Sequence, residues 1–399
     1  MRLSPLFLAN LQRRPSGIYA SSDSIVWESP YDMNATSGTT VISNRNFDCT
    51  STGDTAGAIF ASASGGSYEF YNCRFRSKAA CVWSNYNINL KLVNCIGECV
   101  NPGVNGVYNR GFLHGKYTSL TVQRCTSKGG GIRISAANPT TLLIEDNYIL
   151  NIEGRQSDGA GGYLNTAPSL GVARQGIQMN GVTCGSIGNQ AVIQWNMIEN
   201  IVGQSHPGGD MISVVGGSSG LSGYPLKISK NAILGNNSYS PTTVTYSGRG
   251  IMIEDGTGGH IDVDDNWGSK LTGMVTIDFD GNYSNVNIRR NSIVFANKVG
   301  GVSYAGTGPA FPYLANALSA GTNQVWADNA WRYQSLSYDA TGADPFVKNS
   351  GNSGNSAGTG WVEGAIATEA DEAAVRATFL AAAAAAGRTQ IGSTIAPWW

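Results

Sequence analysis

The most regular feature of the chain is a short alternation of apolar and polar positions that ends on asparagine or cysteine. The pattern apolar-x-apolar-x-x-(Asn or Cys) recurs at Tyr68–Phe75, Leu90–Gly97, Leu120–Ser127, Leu142–Ile149, Ala191–Ile198, Leu226–Ile233, Ile261–Gly268 and Val286–Ile293. Its key column reads Cys73, Cys95, Cys125, Asn147, Asn196, Asn231, Asn266 and Asn291, with spacings from 22 residues (Cys73 to Cys95) to 49 (Asn147 to Asn196). The third and fifth positions before the column are apolar in every copy, as Ile144 and Leu142 are before Asn147. A period of two predicts a strand with one buried face.

A second short strand follows most later copies: Gly131–Ile134, Gly176–Met179, Met211–Val214, Gly250–Ile253 and Met274–Ile277. Each unit therefore reads as strand, turn, strand and variable loop. One such unit cannot bury its apolar face alone, but stacked copies form a continuous core. Asparagine tolerates the left-handed backbone region and bonds locally, which suits a sharp corner at the key column. On successive turns about 4.8 Å apart, such side chains can also bond to one another. Cysteine is small and commonly buried, so it fits the same inward corner.

In these units the chain resembles the right-handed parallel β-helix proteins of pectate-lyase-like architecture, whose coils carry an asparagine ladder. The resemblance spans roughly residues 65–300. It implies an all-β fold, a right-handed, single-stranded parallel β-helix solenoid, to which the flanking sequence adds an N-terminal arm or cap and a short C-terminal α-helical segment. It does not fix an activity, because lyases, hydrolases, epimerases, adhesins and phage tailspikes share this architecture. An antiparallel sandwich would need hairpin turns throughout, and a propeller about four strands per repeat of ~40–45 residues. Neither matches.

Three regions are expected: an arm and cap over 1–50, the repeat over 51–320, and a C-terminal region over 321–399. Trp326, Trp331, Tyr333 and Tyr338 suggest a small apolar cap, and Asn349–Gly360 reads as a flexible linker. A helix should follow. Thr368 and Asp371 supply a capping box, Val375, Phe379 and Leu380 with Ala381–Ala386 a smooth face, and Gly387 a stop. It should seal the C-terminal end of the repeat or meet its copies in an oligomer, with Trp398 and Trp399 as a docking plug.

Composition narrows the function. Charged residues are 13% and the formal net charge is −1, which excludes a strongly basic nucleic-acid binder. Glycine numbers 52 and asparagine 35, a turn-rich composition, and no apolar run reaches the ~18 residues of a membrane span. Met1–Asn10 is apolar but broken by Pro5 and followed by Arg13-Arg14, and reads as a retained arm. The seven cysteines are an odd number in a long chain, so buried thiols are expected over a disulfide framework, with synthesis in a reducing cytosol. Cys95 and Cys99 have no second pair to complete a zinc site.

Carbohydrate chemistry commonly uses paired carboxylates. The outward residue after the second strand is Ser135, Asn180, Val215, Glu254 and Asp278 on successive units, so Glu254 and Asp278 are the candidate catalytic pair. Asp255, Asp280, Arg249, Asp210 and Trp267 are the candidate substrate-binding residues, and Asp262, Asp264 and Asp265 form a second acidic group. These carboxylates could equally bind a cation such as calcium, or form a solvated face beside Arg289 and Arg290. Tyr148, Trp195 and Trp267 offer rings for sugar stacking or equally for packing under an insertion loop, and His206 a base oriented by Asp210, although a loop histidine is most often simply exposed. No P-loop, HExxH or supported GxGxxG is present, so no cofactor is expected and no residue is assigned as a metal ligand. The complete residue sets of polygalacturonase-like hydrolases and pectate lyases are also missing, so no family catalytic residue carries over.

The reading that joins these features is a virion-type spike or fibre that binds, and could cut, bacterial surface polysaccharide. It would dock on other virion proteins through its N-terminal arm and reside on an extracellular particle. Trimerisation is what the tailspike resemblance implies. The alternatives are a free, secreted lyase, hydrolase or epimerase, and a non-enzymatic particle component or adhesin.

Overall fold

The structure, a computed structural model, describes residues 24–50, 57–78, 80–100, 111–135, 137–154, 175–201, 210–235, 249–271, 274–277, 281–295, 313–314, 323–332, 346–350, 353–354 and 369–399. Among them, strands form a 19-stranded and an 11-stranded sheet, and all strand-to-strand pairings are parallel. The two sheets curl without closing. Parallel pairing throughout excludes the sandwich and the propeller.

Each unit supplies a leading strand, a middle strand and a trailing strand. Ile132–Ser135, Thr141–Glu145 and Tyr148–Leu150 make one such unit, the fifth. Leading and middle strands build the larger sheet, and trailing strands the smaller. In Ala80–Val93 and Gly111–Gln123 the first two run together. Every strand pairs with its equivalent one unit on, so Leu142 stands beside Leu120, and Ile149 beside Ile198. Apolar side chains from all three strands fill one core between the sheets, including Phe75, Leu92, Ile144, Ile177, Ile198 and Val263.

The stack is longer than the repeat pattern alone suggests. Tyr31–Met33, Thr39–Ser43 and Asn46–Cys49 form a first unit, where Arg45 fills the key column. Gln324–Ala327 and Ala330–Arg332 extend the far end, although Gln324 takes the place of an apolar residue. Phe346–Ser350 and Ser353–Gly354 form a further unit that overlaps the start of the linker expected over Asn349–Gly360. Tyr333 and Tyr338 lie outside the described residues.

The corner between middle and trailing strands differs from expectation in one respect. The left-handed residue is the one before the key column: Asn44, Asn72, Asn94, Arg124, Asp146, Trp195, Lys230, Asp265, Arg290 and Asp328 have φ of 51–58°. The key asparagines point inward and are almost fully buried. Asn196 Nδ2 donates to Asn231 Oδ1 at 2.9 Å and to Ile144 O at 2.9 Å. Its own Oδ1 accepts from Asn147 N at 3.2 Å and Asn147 Nδ2 at 2.8 Å. The same bonds run through Asn231, Asn266 and Asn291 to Asn329, which the sequence pattern did not include. At the other end Cys125 N donates to Asn147 Oδ1 at 2.8 Å, and thiols take over. All seven cysteines are free and buried, as expected.

The helix is α1, Glu369–Ala385. It ends in a Schellman arrangement: Gly387 has φ 74°, Arg388 N donates to Ala383 O and Gly387 N to Ala384 O. Thr368 lies outside the described residues. The helix packs on its own chain, but along the flank rather than across the end. Phe379, Leu380 and Ala383 are buried against Trp195, Met197, Ala232 and Leu234 on the outer face of the smaller sheet. Among the described residues no helix is long and apolar enough to cross a membrane.

Replacing Asn196 with alanine removes the acceptor of Asn147 N, one of the two acceptors of Asn147 Nδ2 and the side-chain donor to Ile144 O in a dry corner, where each orphaned group costs about 1–3 kcal/mol. Asn196→Ala should therefore lower the unfolding free energy by about 3 kcal/mol in denaturant titrations. A loss below about 1 kcal/mol would show that the ladder does not hold the corner.

Candidate ligand-binding face

Length variation is confined to particular edges of the unit. The turn from middle to trailing strand always takes two residues, as from Glu145 to Tyr148 or from Asp264 to Trp267. The connection from trailing strand to the next leading strand varies widely, from Ser77–Ala80 to Leu150–Ile177. Function tends to collect where variable connections leave a rigid scaffold, which directs attention to the leading strands.

Two outward columns line that face. The register places Trp83 beside His114, His114 beside Arg133, Arg133 beside Gln178, and Gln178 beside Ser213 and then Met252. The rings of Trp83 and His114 are nearly parallel, 11° apart in plane with centroids 6.5 Å apart. Trp83 Nε1 donates to Asn85 Oδ1 at 3.2 Å, and Tyr86 beyond it is 43% exposed. Trp83, His114, Lys116 and Arg133 are half-buried, whereas Ser213 and Met252 are wholly covered. Gln178 marks the transition at 8% exposure. Gln178 Oε1 and Ser213 Oγ are buried with no hydrogen-bond partner among the described residues.

The second column is Ser135, Asn180, Val215 and Glu254, as the spacing predicted. Asp278 and Asp280 lie outside the described residues, so the expected carboxylate pair has one described member. Glu254 is half-buried, and its backbone carbonyl accepts from Tyr283 Oη at 3.0 Å. Burial pushes the Tyr283 phenol up, which keeps it a neutral donor. Asp255 is exposed and holds a left-handed turn at φ 52°. Asp210 and Arg249 meet at the opposite end of the leading strands, where Arg249 N donates to Asp210 Oδ1 at 3.4 Å. His206 lies outside the described residues.

Trp267 is elsewhere, on the smaller sheet, with its ring edge-on to Phe379 of α1 at 5.9 Å. Trp195 stands 6.2 Å from the same phenyl ring, and Tyr148 packs against the same cluster. These three rings, read as candidates for sugar stacking or for packing, form the sheet's half of the helix interface. The second acidic group is a paired surface. Arg290 grips Asp265 through Nε at 2.7 Å, and Asn287 Nδ2 donates to Asp262 Oδ1 at 2.7 Å. Burial raises the Asp264 carboxyl, an effect that Arg290 opposes. Among the described residues no group of three or more His, Cys, Asp or Glu side chains could hold a metal ion.

Sequence reasoning missed the Trp83 column because it tracked the residue after each second strand. The signal was two residues earlier, at the third position of the tetrads: Arg133, Gln178, Ser213 and Met252. Trp83 and His114 were hidden because their leading strands run straight into the middle ones. Comparisons with family models, curated proteins and solved structures find no match.

A buried amide oxygen without a partner weakens a fold, so an apolar replacement of similar size can be neutral. Gln178→Leu should keep the unfolding free energy within about 1 kcal/mol of wild type in denaturant titrations. A larger loss would make Gln178 a structural residue and remove it from the candidate face.

Proposed function

We propose that the chain is a right-handed parallel β-helix protein of the virion spike or fibre kind, which binds bacterial surface polysaccharide along its leading-strand face. The observation that carries this reading is the column Trp83, His114, Arg133 and Gln178. It joins two parallel rings to donors and acceptors at one-strand intervals of about 4.8 Å. Flat rings suit the apolar face of a pyranose, and a planar guanidinium and an amide suit its hydroxyl or acidic substituents. A straight row of such groups matches an extended polymer better than a compact ligand. Right-handed crossovers are the rule for parallel strands joined in this way.

Docking on a particle is assigned to the N-terminal arm, whose residues 1–23 lie outside the described residues. Assembly into a homo-oligomer, with the trimer implied by the tailspike resemblance, belongs to the same proposal. Cleavage is a separate matter of chemistry, resting on Glu254 together with Asp278.

The test is a panel of purified capsular polysaccharides and lipopolysaccharides, read by calorimetry for binding and by reducing ends or unsaturated-product absorbance for cleavage. At least one polymer should bind, and Trp83→Ala and Arg133→Ala should each weaken it about tenfold or more. If cleavage occurs, Glu254→Gln should stop it while binding persists. A panel without a single binder, or a Trp83→Ala protein that binds as well as wild type, overturns the reading.

A further inference from the structure

The C-terminal 31 residues, 369–399, cross the flank of the stack from its eighth unit back to its third and to Trp27, just ahead of the first. Near the start of α1, Glu372 pairs with Lys270 at 3.3 Å in the eighth unit. Arg376 Nη1 reaches Glu199 Oε2 at 2.9 Å in the sixth, and Phe379 is completely buried between Trp195 and Trp267. Beyond the helix, Arg388 Nη1 bonds Glu145 Oε2 at 2.9 Å and Asp146 Oδ2 at 2.7 Å in the fifth unit. Ser393 N then donates to Thr126 Oγ1 at 2.8 Å, and Thr394 N to Asn94 Oδ1 at 2.7 Å. Finally, Trp398 Nε1 donates to Glu98 Oε2 at 3.1 Å, and its ring meets Trp27 edge-on at 5.1 Å. Trp27 in turn lies beneath Arg76 of the second unit.

In a stack of repeats each unit touches only its neighbours, so the ends can fray one unit at a time. Here a single segment bridges units that are not neighbours, and its two halves differ in kind. The helix buries apolar side chains in a well-packed cluster. The tail is an irregular segment held by single hydrogen bonds, ion pairs and two terminal rings. A weak contact tethered to a strong one gains from the high local concentration that the tether imposes.

We propose that residues 369–399 form a clasp in which α1 is the anchor and the tail is a latch over the N-terminal units. Protection of the first units then depends on Phe379, although that residue packs several units away. The dependence runs one way: losing the latch leaves the anchor seated, whereas losing the anchor frees the latch.

Hydrogen exchange read by mass spectrometry on the full-length protein tests this. Trp398→Ala should speed exchange about tenfold in peptides covering 31–49 and 67–77 and leave 192–199 and 226–234 at wild-type rates. Phe379→Ala should speed both regions. Should that variant fail to fold, Arg376→Gln, which removes the Glu199 contact with less loss of packing, serves the same comparison. Exchange that rises only around 192–271 in the anchor variant, with 31–77 unchanged, overturns the proposal. So does a Trp398→Ala protein whose N-terminal peptides exchange at wild-type rates.

Discussion

A middle strand reaches its trailing strand through one residue in the left-handed region, a conformation that costs a non-glycine side chain roughly 1 kcal/mol. Ten such corners recur among the described residues, at side chains as unlike as Asn72, Arg124, Trp195 and Lys230. Their common feature is the residue that comes next in the chain. In the asparagine-bearing units its side chain turns inward and bonds to its equivalent one unit on, while the corner's own N–H finds the neighbouring strand, as Trp195 N does with Ser229 O at 3.3 Å. Each corner is thus held from both sides by copies of itself. Because the turn is always the same length, it keeps the register of both sheets, and register decides which side chains share an outer column.

That register gives the two outer faces different fates. On the smaller sheet the outward positions run Thr126, Tyr148, Met197, Ala232 and Trp267, mostly apolar and useless in water. They account for the fold-back of the C-terminal helix, whose Phe379, Leu380 and Ala383 complete a second small core. Buried charge fixes its placement. Burial alone would push the Glu145 carboxyl up, but hydrogen bonds from Gln194, Gln123 and Arg388 outweigh this and hold it below the ordinary value. Arg388 can therefore dock there without leaving an unpaired anion.

Legibility in the sequence divided along the same line. The eight key-column residues were readable because inward positions are constrained at every unit: an apolar residue at −3 and −5, then a small hydrogen-bonding side chain. Units departing from that rule escaped notice, with Arg45 in the column of the first and Gln324 at −5 in the tenth. Outward positions were harder, since an exposed tryptophan and one awaiting a helix look identical in a one-dimensional pattern. Trp267 and Trp195 carried no mark that residues over a hundred positions later would cover them. The helix itself was legible from its caps and its alanine run, but its docking place was not. That place depends on Glu145, Glu199 and Lys270, which are ordinary surface residues until Arg388, Arg376 and Glu372 reach them.

The leading-strand face is left with the positions that packing does not explain. Its inward residues, Ile132, Ile177, Ile212 and Ile251, are nearly uniform because the core demands it. Its outward residues change from tryptophan to histidine, arginine, glutamine and serine, and two of them, Gln178 and Ser213, bury a polar atom with no partner among the described residues. A sheet selected only for stability would fill such positions with β-branched or paired polar residues. Variety in that column, beside the connections of most variable length, therefore sets this face apart from both the core and the helix-covered flank. The stiffness of the corners holds the groups of such a column at fixed spacing on successive units, a rigidity set by the fold itself.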